Sequence, residues 1–276
     1  MSRIEARDLW SFVERRAAET PSRPLAFDEH DRPITFGEFH AWAERVAAGL
    51  YARGVGIGDR VVWIFLTRIE ALVLTAALAR LGCVQIPLIP ASGARELGFV
   101  LRQARPAWAI VPGHWNGVDY PELVLRAARG DSAVFGETNA PGEATHPTAA
   151  RAPRILRADP DLPEADPAGL DAIEVSRERT TDGSASWIFY TSGTTSDPKG
   201  TLHSDATLLA SAVGLDEPHA YTPDDRVSLS SSPGPSPTPG PLQIRTRRFP
   251  PSGSSADVTR GYGPQIRTRI RGVGCG

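Results

Sequence analysis

Six consecutive apolar residues at 61–66, VVWIFL, are framed on both sides by helical periodicity. A run without polar alternation suits a strand covered on both faces, and flanking helices are the usual cover of a parallel sheet. Upstream, Thr35 and Glu38 spell a T-x-x-E capping box. Phe36, Phe39, Ala43, Val46, Ala47 and Leu50 then recur at helical spacing, and Gly54 stands where a helix-ending glycine belongs. Downstream, residues 70–81 predict an Ala/Leu-rich helix closed by Gly82. Residues 84–86 predict a short strand stopped by Pro87, 94–104 a helix and 107–111 a strand. This alternation argues for an α/β fold with a parallel-rich sheet and flanking helices.

From 136 to 169 six prolines break the pattern, so a long surface connection is expected, with one strand at 154–156. Order returns at 186–190, SWIFY, a strand that runs directly into TSGTTSDPKG. Leu202 begins another short strand, and 205–215 reads as a helix with Asp205 as its N-cap. From Ser231 the character changes: Pro, Gly and Ser make up 22 of the last 46 residues, with seven arginines against one acid. Such a segment buries too little apolar surface to offset its ordering entropy, and disorder is expected over 231–276.

Several classes are disfavoured at once. Two cysteines, Cys83 and Cys275, are too few for a disulfide scaffold or a cysteine-rich zinc module. His30, His40, His114, His146 and His219 show no metal-ligand spacing, so no metal ligand is assigned. Cys83 reads as a small buried hydrophobe and the six tryptophans as packing. The net charge of −2 gives no global field for a polyanion. The longest apolar-or-small run, 71–79, falls well short of the ~20 residues that span a bilayer, so no membrane role is expected. The opening MSRIEARDLW lacks an apolar leader, and a cytoplasmic setting is expected.

The chemistry concentrates at 190–200. The chain holds 30 basic residues, yet only one is a lysine, Lys199. A lysine is a slim point charge on a long stem, and it sits here among Thr191, Ser192, Gly193, Thr194, Thr195 and Ser196. Glycine lets backbone N–H groups turn toward a ligand, and hydroxyls add donors. Donors that converge with one cation suit an oligophosphate. The order Pro198-Lys199-Gly200 is not a Walker A loop, and no G-x-G-x-x-G occurs.

Residues 187–200, WIFYTSGTTSDPKG, closely resemble the phosphate-loop signature of the acyl-adenylate-forming (AMP-dependent synthetase/ligase) superfamily. LHSDATLLA at 202–210 resembles the helix entry of its acyl-CoA synthetase branch. Softer matches are TFGE at 35–38, GVGIGDRV at 54–61 and the stretch 79–90. The resemblance covers about residues 10–230 and implies a partial AMP-binding N-terminal domain over 1–230. It implies ATP-dependent activation of a carboxylic acid to an acyl-adenylate, then transfer to CoA, with Mg2+ accompanying the nucleotide. Thr191, Ser192, Gly193, Thr194, Thr195 and Lys199 would hold the β- and γ-phosphates, and no residue is assigned as catalytic. The partners implied are a small-molecule carboxylate and ATP, with no nucleic acid.

Two departures lie inside the match. Ser196 stands where a glycine is usual, and His203-Ser204-Asp205 where many relatives have His-Ser-His. His203 is expected to be a half-buried side chain with a local hydrogen bond rather than a nucleotide contact. A third departure is the tail. The family pattern ends near Ser231, so the last residues are expected to be frameshifted or to belong to a truncated product, and the chain to lack complete turnover. Translating the other reading frames beyond Ser232 tests this. Two readings stay open beside it: a non-enzymatic fragment with weak affinity for nucleotide phosphates, and a polyanion binder acting through Arg245, Arg247, Arg248, Arg260, Arg267, Arg269 and Arg271.

Overall fold

A computed structural model describes residues 6–28, 30–130, 150–158, 161–170, 184–191 and 198–219. Helix α1 (Leu9–Glu19) leads into a small hairpin of β1 (Pro24–Phe27) and β2 (Pro33–Thr35). Then follow α2 (Phe36–Tyr51), β3 (Arg60–Ile64), α3 (Ile69–Arg80), β4 (Val84–Leu88), α4 (Ala94–Ala104) and β5 (Trp108–Val111). A second hairpin of β6 (His114–Trp115) and β7 (Val118–Asp119) precedes α5 (Tyr120–Arg129) and β8 (Arg154–Arg157). A 3-10 turn (Pro167–Leu170), β9 (Trp187–Thr191), β10 (Lys199–His203) and α6 (Asp205–His219) complete the described elements.

The central sheet has six strands in the order β10-β9-β4-β3-β5-β8. All neighbours are parallel except β10, which runs antiparallel to β9 at the edge. The apolar run at 61–66 lies in the middle of the sheet and feeds both faces. Val61 and Trp63 join the core under α1, α2 and α3, while Val62 and Ile64 join the core under α4 and α5. Trp108 and Ile110 against Ala109 and Val111 repeat the division on β5. The Thr35–Glu38 capping box is formed in both directions at the start of α2, and Gly54 adopts φ 89° just past its end. Cys83 is buried, and its Sγ donates to the Gly56 carbonyl at 3.4 Å.

Pro87 does not stop β4, which continues to Leu88. The reason is which way each backbone group faces. Val84 N–H donates to the Asp59 carbonyl on the β3 side, and Gln85 N–H donates to the Ser186 carbonyl on the β9 side. Alternation places the Pro87 nitrogen on the β9 side too. The proline therefore leaves the β3–β4 ladder intact over all five of its register pairs. Toward β9, Gln85↔Trp187 is the single pair in register, and the next backbone position facing β9 has no N–H to donate.

Candidate nucleotide-phosphate site

Because β9 runs parallel to β4, its final residue Thr191 emerges at the carboxyl edge of the sheet. That edge is where open α/β sheets receive ligands. The chain returns as β10, which starts at Lys199 rather than at Leu202. The register Lys199↔Thr191, Gly200↔Tyr190, Thr201↔Phe189, Leu202↔Ile188 and His203↔Trp187 makes a regular antiparallel hairpin. Five consecutive pairs explain the earlier start, since hairpin pairing carries the strand up to the turn.

Of the sequence-derived site residues, the structure brings together Thr191 and Lys199 as the last pair before the turn. Ser192, Gly193, Thr194 and Thr195 lie outside the described residues, as do Ser196, the side chain of Thr191 and the whole of 231–276. Lys199 is exposed and makes no salt bridge among the described residues. Its backbone belongs to the ladder with β9. Pro198 beside it is half-buried.

Gly200 answers a packing demand. A Cβ there would stand 3.1 Å from Cε1 and Cζ of Tyr190 and 3.2 Å from Oε1 of Gln103. The Tyr190 ring lies across β10 at this point and meets Phe99 of α4 edge-on, with centroids 6.4 Å apart. Burial pushes the Tyr190 phenol upward, with the Arg60 guanidinium partly opposing it. The glycine thus permits close seating of the hairpin on α4 immediately next to Lys199.

The other face of the hairpin is aromatic. Trp187 stacks on Phe189 at 5.6 Å, and Phe189 meets the His203 ring at 5.5 Å. His203 is half-buried, with Nδ1 3.4 Å from Thr207 Oγ1, which is a local contact. Asp205 differs from its expected role. It is the first residue of α6, and Ser204 supplies the cap by accepting from Thr207 N–H through its Oγ at 3.3 Å. The Asp205 carboxylate instead accepts from Trp187 Nε1 at 2.6 Å and from Leu9 N–H at 3.0 Å, and it is only 6% exposed. Burial pushes its carboxyl above the usual carboxylate range; the two donors pull it down, and Asp8 adds to the rise. No periodic signal in the sequence marks this contact, because Leu9 and Asp205 are 196 residues apart.

Among the described residues no group of three His, Cys, Asp or Glu is placed to hold a metal, and no helix is long and apolar enough to cross a membrane. A cleft of about 420 Å³ opens elsewhere, lined by Asp28, Arg32, Trp42, Arg45, Arg68 and Glu70 among others. Its charges are largely engaged with one another or with neighbours, Asp28 with Arg32 and Arg45 with Glu164. None of its lining residues belongs to β9, β10 or α6.

Residues 13–233 match the family model described as AMP-binding enzyme. Chalcone synthase cfoA of Aspergillus candidus is 28% identical over 216 residues, which cover 77% of this chain and 7% of that protein. The long-chain-fatty-acid–CoA ligase FadD13 of Mycobacterium tuberculosis is 25% identical over 205 residues, 74% of this chain and 36% of the ligase. In fold, the chain is similar to o-succinylbenzoate CoA synthetase from Bacillus subtilis in complex with an acyl-adenylate intermediate. That likeness has a TM-score of 0.52 at 22% identity and covers 79% of this chain and 48% of the synthetase. The chain thus spans about half or less of the length of each of these proteins.

Proposed function

The chain belongs to the AMP-binding enzyme family, and from that premise we propose that its β9–β10 hairpin is the ATP-phosphate grip of an acid–CoA ligase. In the proposed reaction a carboxylate oxygen attacks the α-phosphorus of ATP. The bond from that phosphorus to the bridging oxygen breaks, and pyrophosphate leaves with the bonding electrons. The acyl-adenylate then meets the thiol of CoA, the carbon–sulfur bond forms, the thiol proton is released and AMP departs.

The chain's own residues act on the leaving group. The hydroxyls and backbone N–H groups of residues 191–195 would face the β- and γ-phosphates. Lys199 would place its ammonium against the charge that develops on pyrophosphate. Fixed donors aimed at developing charge are the strongest general means of lowering such a barrier. Mg2+ would accompany the nucleotide, since such an ion takes phosphate oxygens and water as its main ligands.

One observation carries the reading. The only lysine of the chain stands opposite Thr191 at the mouth of a hairpin on the carboxyl edge of a parallel sheet. The test is pyrophosphate–ATP exchange by the full chain with a panel of fatty and alicyclic carboxylates, beside calorimetric binding of ATP. Carboxylate-dependent exchange that Lys199→Ala abolishes supports the ligase. ATP binding without exchange reduces the reading to phosphate holding, and no ATP binding at all refutes it.

A further inference from the structure

We infer that Asp205 is a positioning residue: by joining the Trp187 indole to the first N–H of α1, it holds the base of the β9–β10 hairpin and thereby the placement of Lys199. The second half of this statement rests on the proposed phosphate grip; the first half does not.

Among the described residues, Ile188 packs the hairpin into the core under α4 and α5, but backbone pairing to the sheet at its base is sparse. β10 is the sheet edge, and β9 meets β4 in one register pair, with Gln85 N–H donating to the Ser186 carbonyl at 2.8 Å. Pro87 supplies no donor for a further rung. Asp205 adds two hydrogen bonds at the same level of the sheet, one to β9 and one to a helix at the other end of the chain. Leu9 N–H is among the N-terminal amides of α1 that no intrahelical carbonyl can satisfy. Asp8, the N-cap, accepts from Ser11 N–H at 2.7 Å and leaves the Leu9 amide for Asp205. Helix α1 is in turn seated in the core by Trp10 and Val13. The carboxylate therefore ties the hairpin to a packed body. A carboxylate suits the place because both neighbours are donors, and each of its oxygens accepts one of them.

Three substitutions of the full chain test this. Asp205→Asn keeps the shape but offers one acceptor oxygen, so its NH2 must face one of the two N–H donors. Trp187→Phe keeps an aromatic ring and removes the indole donor. Leu9→Pro removes the backbone donor, and Leu9→Ala, which keeps that N–H, controls for the loss of the half-buried leucine side chain: proline is tolerated at the first helical position, and Asp8 is already extended at φ −148° and ψ 168°. Amide hydrogen exchange is read in β9 and β10 against β3 and β5 of the same molecules. Each of the three variants is expected to speed exchange in the hairpin at least tenfold over any change in β3 and β5. Leu9→Pro is expected to add little in the Asp205→Asn background. Where Asp205→Asn fails to fold, the other two variants carry the comparison. Exchange that rises uniformly, or not at all, overturns the anchoring.

A second arm measures tripolyphosphate binding, with severalfold weakening expected in the same variants. Unchanged affinity beside a loosened hairpin overturns the link to Lys199. A wild-type chain that binds no tripolyphosphate refutes the grip itself, while the exchange data still decide the anchor.

Discussion

Gly200→Ala probes the seating of the hairpin on α4. The added Cβ would meet two Tyr190 ring carbons at 3.1 Å and Gln103 Oε1 at 3.2 Å, both shorter than the ordinary contact range of 3.4–4 Å. Gln103 ends a flexible side chain, but the Tyr190 ring has Phe99 against it. Overpacking of this kind costs about 1–3 kcal/mol. Alanine returns about 0.4–1 kcal/mol by narrowing the unfolded ensemble where the backbone angles permit it. Gly200 lies outside the left-handed region, so that return applies. The net loss is about 0–2.6 kcal/mol, or a fall of up to roughly 10 °C in Tm for a chain of this size. Thermal melts followed by circular dichroism measure it. The decisive step is a double-mutant cycle with Tyr190→Leu, which opens the space. In that background Gly200→Ala should be neutral or slightly stabilising. A Gly200→Ala chain that melts at or above wild type, whatever occupies position 190, refutes the steric account.

Lys199→Met should weaken ATP binding by about tenfold or more, the scale of a lost charge-assisted hydrogen bond, yet leave the melt unchanged because Lys199 is exposed; calorimetry and thermal melts read the two separately. Thr35→Ala should cost about 1 kcal/mol by removing the cap of α2, seen as a lower urea midpoint. The same substitution should let the Glu38 carboxyl rise only part of the way toward its ordinary value, since it removes the hydroxyl bond but keeps the stronger hold of the residue 35 backbone N–H; an NMR titration shows it. Burial raises the Asp205 pKa, so the folded chain holds that proton more tightly than the unfolded one. The cost of the ionised group is absent below the ordinary aspartate pKa and grows as pH rises through the higher folded value. Urea melts of wild type and Asp205→Asn from about pH 4 to pH 8 should therefore differ by a term that lowers wild-type stability with rising pH; a flat or opposite difference would contradict it.

The parallel sheet is legible in the sequence because its strands carry near-continuous apolar runs and its helices carry caps. Residues 61–66 and the Thr35–Glu38 box need no tertiary information. The signature string also marks the strand at 186–190 and the loop that carries the single lysine. What stays hidden depends on partners distant in the chain. Asp205 looks like a local helix cap in sequence, and only the fold shows that its acceptors face Leu9 and Trp187. Pro87 looks like a strand stop because the sequence does not reveal which neighbour its nitrogen faces. Helix α1, the β1–β2 hairpin and α5 are short elements that the reading leaves without individual bounds, although α1 and α5 carry local caps at Asp8 and Asp119. Leu202 looks like the first residue of β10, although pairing with Thr191 extends the strand back to Lys199.

The proline in β4 has a mechanical consequence. β9 spans five residues from its in-register contact at Trp187 to Thr191, a lever arm of about 13 Å at ~3.3 Å per residue. A tilt of about 5° at the fulcrum moves the tip by about 1 Å, a displacement that costs ~100-fold in a reaction that depends on alignment. A missing N–H on the neighbouring strand thus leaves the tip steadied by the seating of Tyr190 on Phe99 and by stiffness at the opposite end, rather than by further rungs to β4.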